Sequence, residues 1–402
     1  MKFRSILSLL LSGALLAGCG ASDPPAGPAE SDLPEISVPP AEEPLTANGI
    51  AGRLLALESA GRPEENVILS PLSIEMALAM TANGAGGAAE EALTGLFGRT
   101  AEELNAVLGG DRPGDETLFI ANSMWYNQEL AGEMDEAFRS LLSDVYGARE
   151  GSFRPGSAAS AREINAWVSQ ATRGRINSIV EQSDLTRDTL ALLVNALYFD
   201  GRWTDPFTGS QVRQGQFTSA GGGLSEAEFM SGQVNDYFET GQAVGFAKAY
   251  ENGYEFVAVL PREEESPDLF ALDLDAFLDS RTGAYDVAVK IPKFEAEYSA
   301  SLKRTLKGLG LEALFEDGAL NGMLKEDSGL SAQVSDVIHK TYMRMYEEGT
   351  EAAAVTGVIV DAASAPAEPR KVKEVFLDRP FAFLILDRTT GQAVFCGVIN
   401  EI

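Results

Sequence analysis

Apolar residues recur at helical spacing through the first half of the chain after residue 45. A helix is predicted from Asn48, acting as its N-cap, to Leu57. Ser70 and Pro71 open a second helix, because proline is favoured at the first helical position. The same spacing predicts further helices over residues 90–97, 101–108, 134–146 and 161–179. This half of the chain is therefore expected to be mainly helical.

The later half changes to patterns that are typical of strands. Residues 191–199 are too apolar for a sheet edge and indicate a buried central strand. Two apolar runs, 381–386 and 393–399, flank a turn and predict a C-terminal hairpin. Other predicted strands are 256–260, 286–291, 333–339 and 342–346. Helices followed mostly by strands predict an α+β domain with large mixed or antiparallel sheets.

The segment from Glu347 to Ser364 is rich in small and β-branched residues and lies between two strand-like runs. At the two-residue period of a strand, the parity that starts at Thr350 is uncharged throughout. The two charged residues from Thr350 onward, Glu351 and Asp361, fall on the opposite parity. A flexible loop in solvent does not explain this segregation. We therefore interpret the segment as a loop that can become a strand with one buried face.

The N-terminal residues have the pattern of a targeting segment followed by a linker. Lys2 and Arg4 precede an apolar run over residues 6–16, which predicts a signal peptide. The sequence Leu-Ala-Gly before Cys19 resembles a bacterial lipoprotein processing site, so residues 1–18 are expected to be removed and Cys19 to be lipidated. An ordinary signal peptide with an incidental cysteine is the alternative. Residues 19–44, with seven prolines, indicate an extended linker.

Residues 45–402 are then expected to form one domain without internal repeats. We expect it to be extracytoplasmic and lipid-anchored to a bacterial membrane, in the cell envelope or at the cell surface. The sequence leaves the choice between inner and outer membrane open.

Charge and motif content exclude several classes of function. Lys and Arg number 31 against 60 Asp and Glu, a net charge of −29, so no nucleic-acid partner is expected. With Cys19 acylated, only Cys396 remains and no disulfide can form. His339 is the single histidine, and the sequence has no G-x-S-x-G, H-E-x-x-H, C-x-x-C or P-loop motif. We therefore expect neither an enzyme nor a bound metal or cofactor.

Six segments resemble signatures of the serpin family, in the order and spacing of that family. They are residues 66–74, 122–125, 193–203, 337–340, 348–354 and 379–384. The resemblance covers nearly the whole chain from about residue 48 to 402. It implies the serpin fold, with helices packed on large sheets and an exposed reactive centre loop. It also implies a monomeric suicide inhibitor of serine proteases, rather than a catalyst.

The mechanism that the resemblance implies is insertion of a cleaved loop. A protease cleaves the loop and becomes an acyl-enzyme, and the freed loop enters the central sheet as a strand, an established behaviour of serpins. Its hinge would comprise Glu347, Gly349, Thr350, Glu351, Ala352, Ala353 and Ala354. The small, uncharged residues on the inward parity would enter a sheet without burying a charge. A non-inhibitory member that uses the fold as a surface binding protein is the alternative.

The bond that a target protease would cleave can be placed in two ways. Counting from the hinge by the usual loop length of the family places it between Ala363 and Ser364. A small residue before the bond suggests elastase-like or subtilisin-like targets. Counting backward from Pro380 instead places it near Arg370 and suggests a trypsin-like target. We favour Ala363–Ser364, because cleavage after Arg370 would leave seven extra residues of slack in the tether.

Two further clusters are implied by the resemblance. Ser70, Ser73, Asn195 and His339 would form the shutter beneath the strands that open, although His339 also fits an ordinary, hydrogen-bonded core histidine. Trp203, Lys293 and Glu347 would form the breach at the top of the sheet, where Lys293 and Glu347 would pair. A fully solvated pair at that place would contribute little.

Overall fold

The computed structural model describes residues 44–110, 117–262, 272–350 and 370–402. The predicted signal peptide, Cys19 and nearly all of the predicted linker lie outside these residues. The same holds for Glu351, Ala352, Ala353 and Ala354, and for the predicted cleavage site at Ala363 and Ser364. In the described part of the chain, no helix is both long and apolar enough to cross a membrane.

Helices dominate the first half of the domain, as the sequence predicts. This half contains α1 Ala47–Ser59, α2 Pro71–Ala82, α3 Ala88–Phe97, α4 Ala101–Leu108, α5 Glu136–Tyr146 and α6 Ala158–Ala171, and two short helices, α7 Leu274–Asp279 and α8 Lys303–Gly308, follow in the second half. Helix α2 begins as expected, with Ser70 as its cap and Pro71 in its first turn. It is buried along nearly its whole length, because it packs between strands of two different sheets.

Seventeen strands lie in the described part of the chain and are numbered in chain order. They are β1 Val67–Leu69, β2 Leu118–Asn127, β3 Arg149–Phe153, β4 Ala191–Phe199, β5 Gly201–Arg202, β6 Val212–Thr218, β7 Leu224–Val234, β8 Asp236–Glu239, β9 Ala243–Ala249, β10 Tyr254–Pro261, β11 Tyr285–Pro292, β12 Phe294–Ser301, β13 Ile338–Tyr346, β14 Gly349–Thr350, β15 Lys371–Phe376, β16 Phe381–Asp387 and β17 Ala393–Ile399. Helices and strands together confirm the predicted α+β class.

The described strands form four hydrogen-bonded ladders. A six-stranded sheet has the order β1-β17-β16-β10-β9-β8, and a four-stranded sheet has the order β15-β11-β7-β6. Two further ladders, β3-β2-β4 and β12-β13-β14-β5, share one chain segment, because only Asp200 separates β4 from β5. We refer to these two ladders together as the central sheet. Helix α2 packs against β4 of the central sheet and β17 of the six-stranded sheet.

Two helix ends differ from the prediction. The cap of α1 is Thr46, whose hydroxyl accepts the Gly49 N–H at 2.9 Å. Asn48 lies inside the helix and donates to the carbonyl of Gly391 at 2.9 Å, so it ties α1 to the C-terminal hairpin instead. Helix α6 ends at Ala171 rather than at residue 179, because Arg173 and Gly174 both have left-handed backbone angles.

Two strand predictions are also wrong in part. Residues 333–337 have no regular secondary structure, and the strand predicted there begins only at Ile338. Strand β4 has the predicted bounds but is not central: among the described residues it pairs along its length with β2 alone. Both differences have one cause. The edges of β4 and of the segment before β13 face a gap, in which neither has a partner strand among the residues that the structure describes.

Candidate functional site

A two-residue strand, β14, lies at the top of the central sheet between β13 and β5. Thr350 is opposite Met345 on one side and Gly201 on the other. Gly349 has a φ of 154°, and a Cβ at this position would lie 2.0 Å from the carbonyl oxygen of Gly201. Only glycine permits so close an approach. The chain therefore enters the sheet at the first residues of the predicted hinge.

Thr350 fills a closed pocket at this point. The residue is 1% exposed, and its hydroxyl lies 2.6 Å from the hydroxyl of Tyr250. The Tyr250 ring stacks on the Trp203 ring, with 4.1 Å between the centroids. Burial raises the pKa of Tyr250, so its hydroxyl stays neutral. The pocket fits a small, uncharged side chain with one hydrogen-bonding group.

The three residues expected to form the breach lie together beside this pocket. Nζ of Lys293 lies 2.8 Å from Oε1 of Glu347 and 2.8 Å from Oε2 of Glu228. Burial disfavours the charged form of Lys293, but the hydrogen bonds that its ammonium donates to Glu228 and Glu347 outweigh this effect and raise the pKa of Lys293. Burial also acts to raise the pKa of Glu347, and hydrogen bonds from Lys293 and its own backbone N–H outweigh that effect and lower it.

Trp203 connects the breach to the backbone of the hinge. Its indole N–H donates to the carbonyl of Tyr346 at 3.2 Å, and its backbone N–H donates to the carbonyl of Glu348 at 2.9 Å. Glu228 and Tyr250 complete the arrangement, although nothing in the sequence singled them out. Glu228 lies on β7 and Tyr250 directly follows β9, both distant in sequence from the hinge, and no local pattern marks such a contact.

The residues expected to form the shutter are only partly connected. The Ser70 N–H donates to Nε2 of His339 at 3.2 Å, and the Ser70 hydroxyl accepts the Ser73 N–H at 3.2 Å. Asn195 is separate from this group, because its amide donates to Oδ1 of Asn122 at 2.6 Å. The buried Oδ1 of Asn195 has no hydrogen-bond partner among the described residues. A polar acceptor therefore remains open on the β4 side.

The gap between β4 and β13 forms a cavity of about 570 Å³, which we call the slot. One wall comprises residues 190–195 and the other residues 331–339, while Ser73, Ile74 and Ala77 of α2 contribute to its lining. Asn195 and His339 both line the slot. The same two chain segments flank β14 further along: Gly201 lies six residues after Asn195, and Met345 lies six residues after His339.

His339 is neutral in this environment. Burial lowers its pKa to about 4, and because Nε2 accepts the Ser70 N–H, the ring proton of the neutral form is on Nδ1. His339 is 6% exposed, and its Nε2 is occupied by the Ser70 N–H. Nε2 is therefore not free to accept a proton from a serine hydroxyl. Its geometry is that of a structural group in the wall of the slot.

The neutral state of His339 predicts a pH dependence of stability. Its folded pKa of about 4 lies below an unfolded value of about 6.5, so the unfolded chain binds the extra proton between these values. The free energy of unfolding should therefore fall by about 3 kcal/mol as the pH drops from above 6.5 to 4. Urea unfolding of the wild type and of His339→Gln across this range measures the difference. Parallel curves for the two proteins would contradict the prediction, whatever their absolute stabilities.

Comparison with known proteins identifies the architecture. A family model described as Serpin (serine protease inhibitor) matches residues 46–402. Serine protease inhibitor 42Dd of Drosophila melanogaster is 32% identical, over 83% of this chain and 91% of that protein. Serpin-ZXA of Oryza sativa subsp. japonica is 31% identical, over 85% of this chain and 92% of that protein.

The fold comparison agrees with the sequence comparison. The crystal structure of the thermophilic serpin Tengpin in its native state superposes with a TM-score of 0.76 at 30% identity. The match covers 91% of this chain and 98% of Tengpin. Serpins are in general protease inhibitors rather than enzymes. The chain belongs to the serpin family and has the serpin fold that its sequence predicts.

Proposed function

We propose that this protein inhibits serine proteases by a suicide mechanism, in which its cleaved loop enters the central sheet and holds the protease as an acyl-enzyme. One observation carries the proposal. Gly349 and Thr350 already form a strand between the two chain segments that continue into the walls of the slot, with Thr350 buried. Insertion of the loop would extend the existing strand β14, so no new strand would have to start within the sheet.

The register of β14 tells which loop residues would line the slot. Continuing the same pairing by six residues beyond Thr350 places Thr356 opposite Asn195 on β4 and His339 on β13. Thr356 shares the uncharged parity of Thr350, so its hydroxyl would face the same side of the sheet. It could donate to the unpartnered Oδ1 of Asn195. The pattern of the loop and the chemistry of the slot are thus complementary.

The free energy of insertion is large enough to drive such a mechanism. About a dozen new strand residues, at roughly 1 kcal/mol per net hydrogen bond, supply on the order of ten kcal/mol. This is comparable to the whole stability of a typical domain. The uncleaved protein would then be metastable, and cleavage would release the difference.

The position of β15 supports cleavage between Ala363 and Ser364. Lys371 already pairs with Tyr285 in a sheet, so the chain is fixed immediately after Arg370. A protease binds its substrate as an extended segment, and this requires free residues on both sides of the bond. Five residues separate Ser364 from Arg370, whereas cleavage after Arg370 would cut at the edge of β15. We therefore infer elastase-like or subtilisin-like targets in preference to trypsin-like ones.

The attachment of the protein to a membrane is part of the same proposal. The charged and apolar pattern of the first residues, and Cys19 after Leu-Ala-Gly, support a lipid anchor with residues 19–44 as a spacer. A monomeric inhibitor domain would then be displayed outside the cytoplasm. Incorporation of labelled palmitate into the wild type but not into Cys19→Ala is the expected result.

Covalent trapping tests the proposed function. Incubation with an elastase or a subtilisin should give a band on denaturing electrophoresis at the combined mass of this protein and the protease. The same protease with its active-site serine blocked is the matched control and should give none, since the acyl bond needs that serine. Complete cleavage of the loop without such a band, for these proteases and for trypsin, would overturn the proposal. It would favour a surface binding protein with this fold.

A further inference from the structure

A buried lysine lies beside the hinge. Lys248 on β9 is 7% exposed, and its Nζ donates to the carbonyl oxygen of Asp205 at 2.6 Å. The same Nζ lies 5.4 Å from the ring centroid of Trp203 and 4.6 Å from that of Phe207. All three contacts fall on residues 203–207, the short stretch that follows β5. We call this stretch the turn segment.

The turn segment holds the backbone that leads into the hinge. The Trp203 N–H donates to the carbonyl of Glu348, and the Phe207 N–H donates to the carbonyl of Glu347, each at 2.9 Å. The Trp203 indole N–H adds a third bond, to the carbonyl of Tyr346. These are the last three carbonyl groups before Gly349. Their positions fix where the chain turns into the sheet.

An uncharged side chain of the same length could fill the space that Lys248 occupies. Burial lowers the pKa of Lys248 and disfavours its charged form, and the carboxylate of Asp205 offsets this in part. An apolar side chain of the same length is often neutral or stabilising where it replaces a buried charge. The ammonium differs from such a side chain in two ways: it bonds the Asp205 carbonyl, and it is attracted to the faces of two aromatic rings.

We propose that Lys248 is a positioning residue for the hinge. Its ammonium fixes the turn segment in the arrangement that bonds the carbonyls of Glu347 and Glu348, and it thereby keeps Gly349 and Thr350 inserted as a strand. The consequence for inhibition rests on the proposed function: a hinge that is already inserted lets the cleaved loop continue into the slot before the acyl-enzyme is hydrolysed. The positioning itself is a property of the uncleaved protein.

Hydrogen exchange in the uncleaved protein tests the positioning directly. In Lys248→Met, the amides of Trp203 and Phe207 should exchange about tenfold faster than in the wild type, because the charged hydrogen bond to their segment is lost. In Lys248→Arg, which keeps the cation and its donors, the exchange should return toward the wild-type rate. Amides of β10 and β16 should be unchanged in both variants, which shows that the fold is intact.

Two results would overturn the proposal. One is unchanged exchange at Trp203 and Phe207 in Lys248→Met. The other is faster exchange throughout β10 and β16 as well, since a loss of global stability would then explain the effect.

The effect on inhibition is measured separately, as the number of inhibitor molecules consumed for each protease trapped. This number should rise several-fold in Lys248→Met and return toward the wild-type value in Lys248→Arg. If the amides of Trp203 and Phe207 exchange faster in Lys248→Met but this number stays at the wild-type value, the functional consequence is rejected. If the wild type traps no protease at all, the proposed function fails, whereas the exchange data still decide whether Lys248 positions the hinge.

Discussion

Replacing Thr350 with arginine is expected to turn the inhibitor into a substrate. Thr350 is 1% exposed, so its pocket has no space for an arginine side chain. The Tyr250 hydroxyl that contacts Thr350 is neutral and could not balance the charge of the guanidinium. Burying the guanidinium at the start of the inserted strand would cost several kcal/mol. Insertion would then be slower than hydrolysis of the acyl-enzyme. The covalent band should disappear while the loop is still cleaved at its usual bond.

The neighbouring residue supplies a matched control. Glu351 lies outside the described residues, but the strand period places it on the opposite parity from Thr350. Glu351→Arg introduces the same side chain one position later and should leave trapping largely intact. Equal loss of the covalent band in both variants would reject the assignment of Thr350 as the inward position and Glu351 as the outward one.

Cleavage of the loop is expected to raise the melting temperature strongly. Insertion supplies on the order of ten kcal/mol of extra stability. With an entropy of unfolding of about 2 cal/mol/K per residue over roughly 350 residues, this corresponds to a rise of about 14 °C in the melting temperature. A single nick between residues 362 and 369, which leaves about a dozen residues free to insert after Thr350, is verified by mass spectrometry, and calorimetry then measures the effect. Most proteins are unchanged or destabilised by a nick in a loop, so the direction of the change is diagnostic.

Thr350→Arg serves as the control for the melting experiment as well. Nicked Thr350→Arg should melt close to its own uncleaved form, because its loop is not expected to enter the slot. A rise of the same size in this variant would show that the stabilisation does not depend on insertion past Thr350. An unchanged transition in the nicked wild type would mean that no strand is added.

Local sequence patterns predicted much of the fold. Strand β4, helix α4 and strand β17 have the predicted bounds, because each is long, strongly patterned and bounded by turn residues. Both Asn48 and Thr46 are residue types that can cap α1, and the local sequence does not show that Asn48 instead contacts the distant turn at Gly391. The helix predicted over residues 161–179 runs past the end of α6 at Ala171, because the apolar spacing continues beyond the break at Arg173.

The candidate site could be predicted only where its residues carry a local signal. The alternation from Thr350 onward needs a single segment of sequence, and the structure buries Thr350 itself. The slot could not be predicted, because an apolar strand such as β4 normally has partners on both edges, and nothing in its own sequence shows that one edge is open. Glu228, Tyr250 and Lys248 reach the hinge through tertiary contacts between segments far apart in sequence, which the local sequence pattern does not display.

A crystal structure of the loop-cleaved protein tests the central claim most directly. Continuous backbone from Thr350 to about residue 360, hydrogen-bonded to β4 on one side and β13 on the other, with Thr356 between Asn195 and His339, is the predicted result. An open gap between β4 and β13, with the severed segment outside the sheet, would contradict the account.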